Sequence, residues 1–330
     1  MISIVIPAYN NPADVDALLS SLMAHCRQRD RYEVIVVDDG SRDNAISSVC
    51  APHTFVRYVR LSENRGAASA RNAGVALAQY DLVMFLDSDM VVLTDVIDIA
   101  VRMFQDPQMQ AAIGAVSEKS MNPGRFKKFW ALVKAFSHPG AGYSSTFWPT
   151  IGVIRTAIFR EVGGFNEQFR GASVEEYEFS MRLEACGYRV HCNPMLSVGT
   201  HYKDMRTSLR QSFSRAAKWV LLFWQRRRFD NHTTTRTQAT VMVCGAGFVG
   251  STLLAPLYLG SAVMAAGFLG LYLWLTIPFM LYVKSIAGSR FVPVVLFFHL
   301  ILSVVVTAGA LRGAIQLFFG PERRRALLYS

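Results

Sequence analysis

The chain has 330 residues, 34 Lys and Arg against 24 Asp and Glu, and a formal net charge of +10. Its five cysteines (Cys26, Cys50, Cys186, Cys192, Cys244) are odd in number and show no CxxC spacing; this argues against a disulfide framework or a zinc site and suits a reducing compartment. The basic excess is not accompanied by a nucleic-acid recognition motif with interleaved aromatics, so no nucleic-acid partner is expected.

Ile2 to Ile6 is a short β-branched run stopped by Pro7, as in a buried strand. It is too short for a signal peptide and lacks a basic start, so the first domain is expected to be cytoplasmic. Ala13 to Arg27 carries helical spacing in Val15, Leu18, Leu19 and Leu22. Tyr32 to Val37 reads as a second strand ending in Asp38-Asp39-Gly40-Ser41, and Phe55 to Leu61 as a third. Ala67 to Ala78 is Ala-rich and helical, and Leu82 to Leu86 is a strand that runs into Asp87-Ser88-Asp89. Strands alternating with helices imply a mostly parallel sheet with helices on both faces, an α/β class. Ligands of such sheets sit beyond the carboxyl ends of the strands, where Pro7-Ala8-Tyr9-Asn10, Asp38-Asp39 and Asp87-Ser88-Asp89 all fall.

Residues 206–228 show Leu209, Phe213, Ala216, Val220 and Phe223 at spacings of three and four, with Arg206, Arg210, Ser214 and Lys218 elsewhere on the wheel. This pattern predicts an amphipathic helix over 205–232 lying at a membrane interface. From Thr240 to Phe319 acidic residues vanish and the only charges are Lys284, Arg290 and Arg312. Transmembrane segments are expected at about 238–258, 261–283 and 291–312. The expected domains are therefore 1–204, 205–232 and 233–330. Basic residues crowd both flanks, at Arg206 to Arg228 and at Arg323 to Arg325, as they do beside anionic headgroups. With three crossings Arg323 to Arg325 would lie outside, against the positive-inside rule, so the course of the third segment stays open.

Two carboxylates spaced as in Asp87-Ser88-Asp89, on a turn after a strand, can reach a hard divalent cation. Such a cation neutralises a diphosphate leaving group. Gly66 to Gly74 puts small residues at a helix start, where backbone N–H groups and Arg71 favour phosphate. Glu175, Glu176 and Glu178 open a further helix after Gly163-Gly164-Phe165-Asn166-Glu167. One of the three glutamates is a candidate base for an acceptor hydroxyl, or a group that orients an acceptor phosphate.

Ile4-Val5-Ile6-Pro7-Ala8-Tyr9-Asn10, Val36-Val37-Asp38-Asp39-Gly40-Ser41, Asn64-Arg65-Gly66 with Arg71-Asn72-Ala73-Gly74, Asp87-Ser88-Asp89 and Gly163-Gly164-Phe165 occur in that order. Over roughly residues 1–230 the chain thereby resembles glycosyltransferase family 2 enzymes of GT-A fold, more closely those with C-terminal membrane helices such as polyprenyl-phosphate sugar transferases. The resemblance implies an inverting transferase with a UDP- or GDP-linked sugar as donor. Pro7, Ala8, Tyr9, Asp38, Asp39, Asn64, Arg71, Asp87 and Ser88 would then face the donor. Asp87, Asp89 and His201 would hold Mn2+ or Mg2+, and Glu176 would be the base, from a pair that reads Glu175-Glu176 where the family has Glu-Asp. Glu175, Arg206 and Arg210 would lie on the acceptor side. The expected acceptor is a membrane lipid, a polyprenyl phosphate by this resemblance. The alternatives are an exopolysaccharide or glycolipid synthase with a hydroxyl acceptor, and a non-catalytic nucleotide-sugar-sensing membrane subunit. Arg215-Ala216-Ala217-Lys218-Trp219 only loosely echoes the Gln-x-x-Arg-Trp of processive synthases. The sugar, the nucleotide base and the oligomeric state, a homo-oligomer included, stay open.

Overall fold

The computed structural model describes residues 1–138, 140–169, 174–227, 229 and 235–320. The chain forms two compact units, Met1–Asn122 with His138–Tyr202, and Pro123–Ser137 with Lys203–Ser330.

The first unit is built on one nine-stranded sheet. Its first part comprises β1 (Ile2–Ala8), α1 (Pro12–His25), β2 (Tyr32–Asp38), α2 (Ala45–Cys50), β3 (Val56–Arg60), α3 (Ala67–Leu77) and β4 (Leu82–Leu86). There follow β5 (Met90–Val92), α4 (Val96–Met103) and β6 (Ala111–Ser120), then, beyond a helical segment that belongs to the second unit, α5 (Arg125–Phe136), the elements β7 (Gly142–Ser144), β8 (Ile151–Arg155), α6 (Thr156–Glu161), α7 (Glu175–Ala185) and β9 (Val190–Thr200). The strand order is β3-β2-β1-β4-β8-β6-β9-β5, with β7 paired to β9. The half β3-β2-β1-β4 is parallel throughout. The other half is mixed: β8 runs antiparallel to β4 and β6, and β9 runs parallel to β6 but antiparallel to β5 and β7. The expectation of a mostly parallel sheet therefore describes the first half only.

Alternation along the parallel strands assigns the two faces. Ile2, Ile4 and Ile6 with Val34 and Val36 pack on α1 through Val15, Leu18, Leu19 and Leu22. Val5, Val83 and Phe85 face the other way, against α3, α6 and α7, where Phe147, Phe159 and Phe165 meet Phe85 edge-on or tilted and Phe179 packs on Phe147 and Phe165. Both faces are covered, which is why these strands read as unbroken apolar runs.

The second unit contains α5 (Arg125–Phe136), α8 (Met205–Arg226), α9 (Arg236–Leu254), α10 (Leu259–Ala287) and α11 (Val292–Phe319). The last three are long and apolar enough to cross a membrane, and α9 and α10 form a hairpin that turns at Ala255–Tyr258. Two features depart from the expected layout. The α5 segment, inside the first unit's sequence, groups with the apolar helices: Phe129 and Leu132 pack with Phe279, Val283, Val295 and Leu302. Second, α8 does not stand alone as a separate segment but runs alongside α11. Phe213 and Ala217 approach Gly309 and Gly313 through their backbone carbonyls, Arg312 lies over the Phe213 ring, and Trp224 meets Phe318. Small residues four apart let two helix backbones come together. The basic residues Arg228 and Arg323 to Arg325 lie outside the described residues.

A Cβ on Gly313 would overlap Ala217, whereas one on Gly270 of α10 meets nothing within 4 Å. Gly313→Leu is accordingly expected to destabilise the detergent-solubilised chain by about 1–3 kcal/mol through overpacking, read as a lowered melting temperature. Gly270→Leu should leave it unchanged.

Candidate active site

Three strand ends carry the polar residues of the rim, and hydrogen bonds lock them together. The register pairs Ala8 with Asp38 and Asp38 with Arg60, so the turns after β1, β2 and β3 emerge side by side. Asn10 adopts a left-handed conformation with φ of 52°, which Asn tolerates better than most residues. Its N–H donates to Ser41 Oγ at 2.9 Å, and its side-chain oxygen accepts from the Arg42 N–H at 2.9 Å. Asn11 Nδ2 donates to Ser88 Oγ at 2.7 Å, tying the β1 turn to Asp87-Ser88-Asp89.

The two aspartates after β2 differ in role. Asp38 is fully buried and accepts from the Ser41 N–H at 2.9 Å and from the Tyr58 hydroxyl at 2.8 Å. It holds the turn together from inside and is not turned to the rim as expected for a donor-facing residue. Asp39 accepts from the Arg65 and Gly66 N–H groups, each at 2.8 Å, at the start of α3. Burial pushes its carboxyl above the usual range, against the lowering effect of those two bonds. Gly40, at φ of 68°, has the Glu63 and Asn64 backbone so close that a Cβ would stand 2.6 Å from the Glu63 carbonyl carbon. Only glycine permits that approach, which brings the Asn64-Arg65-Gly66 loop to the end of β2. Tyr9 and Asn64 are exposed beside these groups, and Pro7 and Ala8 are buried.

Arg71, expected to favour phosphate, is held inside the domain. It is 4% exposed and lies between two carboxylates, with Nη2 donating to Asp87 Oδ1 at 2.6 Å and Nη1 to Glu175 Oε1 at 3.3 Å. Phe165 packs under the guanidinium at 5.5 Å. Burial disfavours the charge, but Asp87 and Glu175 outweigh it and hold Arg71 firmly protonated.

Glu167, in the sequence only part of a turn, is a second clamp on α3. It accepts from Ser69 Oγ at 2.5 Å, Asn72 Nδ2 at 3.0 Å and Arg65 Nη2 at 3.0 Å. The Ser69 and Asn72 bonds hold its carboxyl below the usual range. Glu178 pairs with Arg182, which also donates to the carbonyls of Val162 and Gly164. That leaves Glu175 and Glu176, both nearly buried, at the first turn of α7. Arg206 and Arg210 are exposed on α8, in the second unit.

Beyond Asp89, β5 pairs with the end of β9, Met90 opposite Thr200. The His201 N–H donates to the Asp89 carbonyl at 2.8 Å, so two of the three expected ligands are neighbours through the backbone. Among the described residues no three His, Cys, Asp or Glu side chains converge into a cage for an ion. The donor set fits a divalent cation nonetheless, because such ions are commonly held by one or two protein groups and completed by substrate phosphate oxygens.

The comparisons agree on the kind of domain. Residues 3–163 match the model of Glycosyl transferase family 2. A poly-beta-1,6-N-acetyl-D-glucosamine synthase of Staphylococcus aureus is 28% identical over 204 residues, covering 59% of this chain and 48% of the relative. A pre-mycofactocin glycosyltransferase of Mycobacterium tuberculosis is 28% identical over 224 residues, covering 66% and 45%. The chain spans about half the length of the curated relatives it matches. Among solved structures, the mannosyltransferase PcManGT from Pyrobaculum calidifontis, in complex with GDP-Man and Mn2+, aligns with a TM-score of 0.57 at 16% identity. The alignment covers 97% of this chain and 88% of that one. GalNAc-T7 with UDP, GalNAc and Mn2+ aligns with a TM-score of 0.51 at 15% identity, covering 62% and 44%. At such identities the likeness shows the fold, which is GT-A.

Proposed function

We propose that this chain, whose residues 3–163 are a glycosyl transferase family 2 domain, is a membrane-anchored, inverting glycosyltransferase that moves a sugar from a nucleotide-sugar donor to a membrane lipid. The observation that carries the reading is the rim itself. Asp39, Asp87-Ser88-Asp89 and Glu175-Glu176, from three separate stretches, are bound into one network by Arg71, Asn11 and the start of α3.

In this reading Tyr9 and Asp39 bind the nucleoside, and Asp87, oriented by Arg71, accepts from the ribose hydroxyls. Asp89 and His201 would hold Mn2+ or Mg2+, which when bound offsets the charge that develops on the leaving diphosphate. PcManGT and GalNAc-T7 were each solved with Mn2+, which supports a divalent ion. Glu176 takes the proton of an acceptor hydroxyl, or orients an acceptor phosphate that is already an anion. A lipid acceptor accounts for joining such a rim to three apolar helices: tethering confines the site to the surface where the acceptor is concentrated. In line with this, we place the first unit on the cytoplasmic side, with 205–232 at the membrane interface and Arg206 and Arg210 toward the acceptor. The likeness to the poly-beta-1,6-N-acetyl-D-glucosamine synthase favours a second reading, a saccharide acceptor.

The test is incubation of the purified full chain with UDP- and GDP-linked sugars and mixed membrane lipids, followed by mass spectrometry of the lipid extract. A lipid carrying one added hexose supports the first reading, and a growing saccharide supports the second. No transfer with any donor, despite donor binding, would leave a sensing subunit. In the same assay Asp89→Asn should abolish the metal-dependent part of turnover while far-ultraviolet circular dichroism stays unchanged. Full activity of the native chain in excess chelator would rule out the metal.

A further inference from the structure

One polar pair close to the rim takes no part in the network described above. His201, just past the end of β9, directs Nδ1 to Asp14 Oδ1 at 3.1 Å, and the two side chains are 25% and 33% exposed. Asp14 sits in the first turn of α1, where a carboxylate is ordinarily a partner of the helix dipole. Here it reaches across to a residue 187 positions away. The His201 backbone is fixed as well, through its N–H bond to the Asp89 carbonyl.

We infer that Asp14 is a positioning residue for a metal-ligating His201: it holds the imidazole so that Nε2 faces the cation bound at Asp89. The inference rests on the reading of Asp89 and His201 as ligands. An ionised carboxylate can only accept a hydrogen bond, so in the neutral imidazole the proton sits on Nδ1 and the lone pair on Nε2. That is the tautomer a metal requires, and ligating histidines characteristically give their other ring nitrogen to a carboxylate or carbonyl, which fixes ring orientation and raises basicity. A tether between α1 and the end of β9 could be made by any polar pair. A carboxylate on a histidine whose own backbone is bonded to the second aspartate of the Asp87-Ser88-Asp89 turn is the arrangement expected of a supported ligand.

The test measures Mn2+ binding to the full chain in detergent by calorimetry, with UDP and separately with GDP present. It also records the electron-spin-echo modulation that a coordinated imidazole nitrogen imposes on bound Mn2+. Asp14→Leu is expected to weaken Mn2+ binding by about 10- to 100-fold and to reduce the modulation. Asp14→Asn keeps an acceptor oxygen and should lose less. Metal-free nucleotide binding should stay the same in both, and His201→Gln should abolish the modulation. Unchanged Mn2+ affinity and modulation in Asp14→Leu, with the loss confined to His201→Gln, overturns the positioning role and leaves the ligand reading standing. If His201→Gln changes neither quantity, the ligand reading fails, and the inference falls with it. Equal losses of metal-free nucleotide binding and Mn2+ binding in Asp14→Leu would mark a general structural role and also overturn the inference.

Discussion

Replacing Glu176 with Gln is expected to lower sugar transfer by about a hundredfold to ten-thousandfold, the usual contribution of a positioned base, with donor binding nearly unchanged. Gln keeps the size and one hydrogen-bonding oxygen but removes the basic site. The surroundings hold the group still. Glu176 is nearly buried in the first turn of α7. Its carbonyl accepts from Ser180 Oγ at 2.5 Å, and Ser180 Oγ accepts in turn from the Phe147 N–H at 2.8 Å. Those bonds fasten the helix start to the aromatic cluster under the sheet. The neighbouring glutamates give distinct controls. Glu178→Gln should loosen the Arg182 clasp on the turn at Gly163-Gly164 and lower the melting temperature, with little effect on turnover at low temperature. Glu175→Gln should weaken the hold on Arg71, altering donor affinity more than the chemical step. The fall for Glu176→Gln should lie near a hundredfold if the acceptor is a phosphate, which needs little deprotonation. Single-turnover rates with saturating donor measure the effect. If Glu175→Gln is lethal and Glu176→Gln mild, the base is Glu175.

What could be read in the sequence follows from how local each feature is. The strands 2–6, 32–37 and 82–86 announce themselves because both faces are buried, and their runs of Val, Ile and Leu need no partner to be recognised. Asp87-Ser88-Asp89 and Asp38-Asp39 are legible for the same reason: a strand end and a turn lie within a few residues. The mixed half of the sheet is not. β6 changes register against β9 between Ile113 and Ala115 and again between Val116 and Ser120, and β9 carries Pro194 in its middle. Period-2 alternation is interrupted in both. Asp14 was illegible as a site residue because its meaning lies in His201, far along the chain. The pairing of α8 cannot be seen in its own wheel, since its partner is the stretch of α11 around Gly309 and Gly313. The ion pair of Arg71 with Glu175 is not legible either, because nothing local reveals that Glu175 lies beside it.

That ion pair gives the second large effect. Arg71→Met should destabilise the first unit and also impair donor binding. The side chain is 5% exposed, and it is ion-paired to Asp87, 27% exposed, and to Glu175, 9% exposed. Methionine fills much of the volume but leaves two carboxylates facing a space from which the cation has gone. Removing one partner of a buried pair costs about 3–5 kcal/mol; the lower end applies here because water reaches Asp87 in part. For a unit of this size that is a fall of about 6–12 °C in melting temperature. Lysine should not restore the native state, since one ammonium cannot bridge two carboxylates as the planar guanidinium does. The decisive comparison is the double variant Arg71→Met with Glu175→Gln. Neutralising Glu175 removes the more buried of the two stranded charges, so the pair should lose clearly less stability than the sum of the single losses, the mark of residues in one network. Donor affinity should stay low in both, because Asp87 is still without the group that orients it. A phosphate anchor reaching into solvent would behave in the opposite way: Arg71→Met would weaken donor binding at an unchanged melting temperature, and Glu175→Gln would add to it independently. Melting curves and donor titrations on the four chains of this cycle distinguish the two arrangements, and the buried contacts at 2.6 and 3.3 Å favour the first.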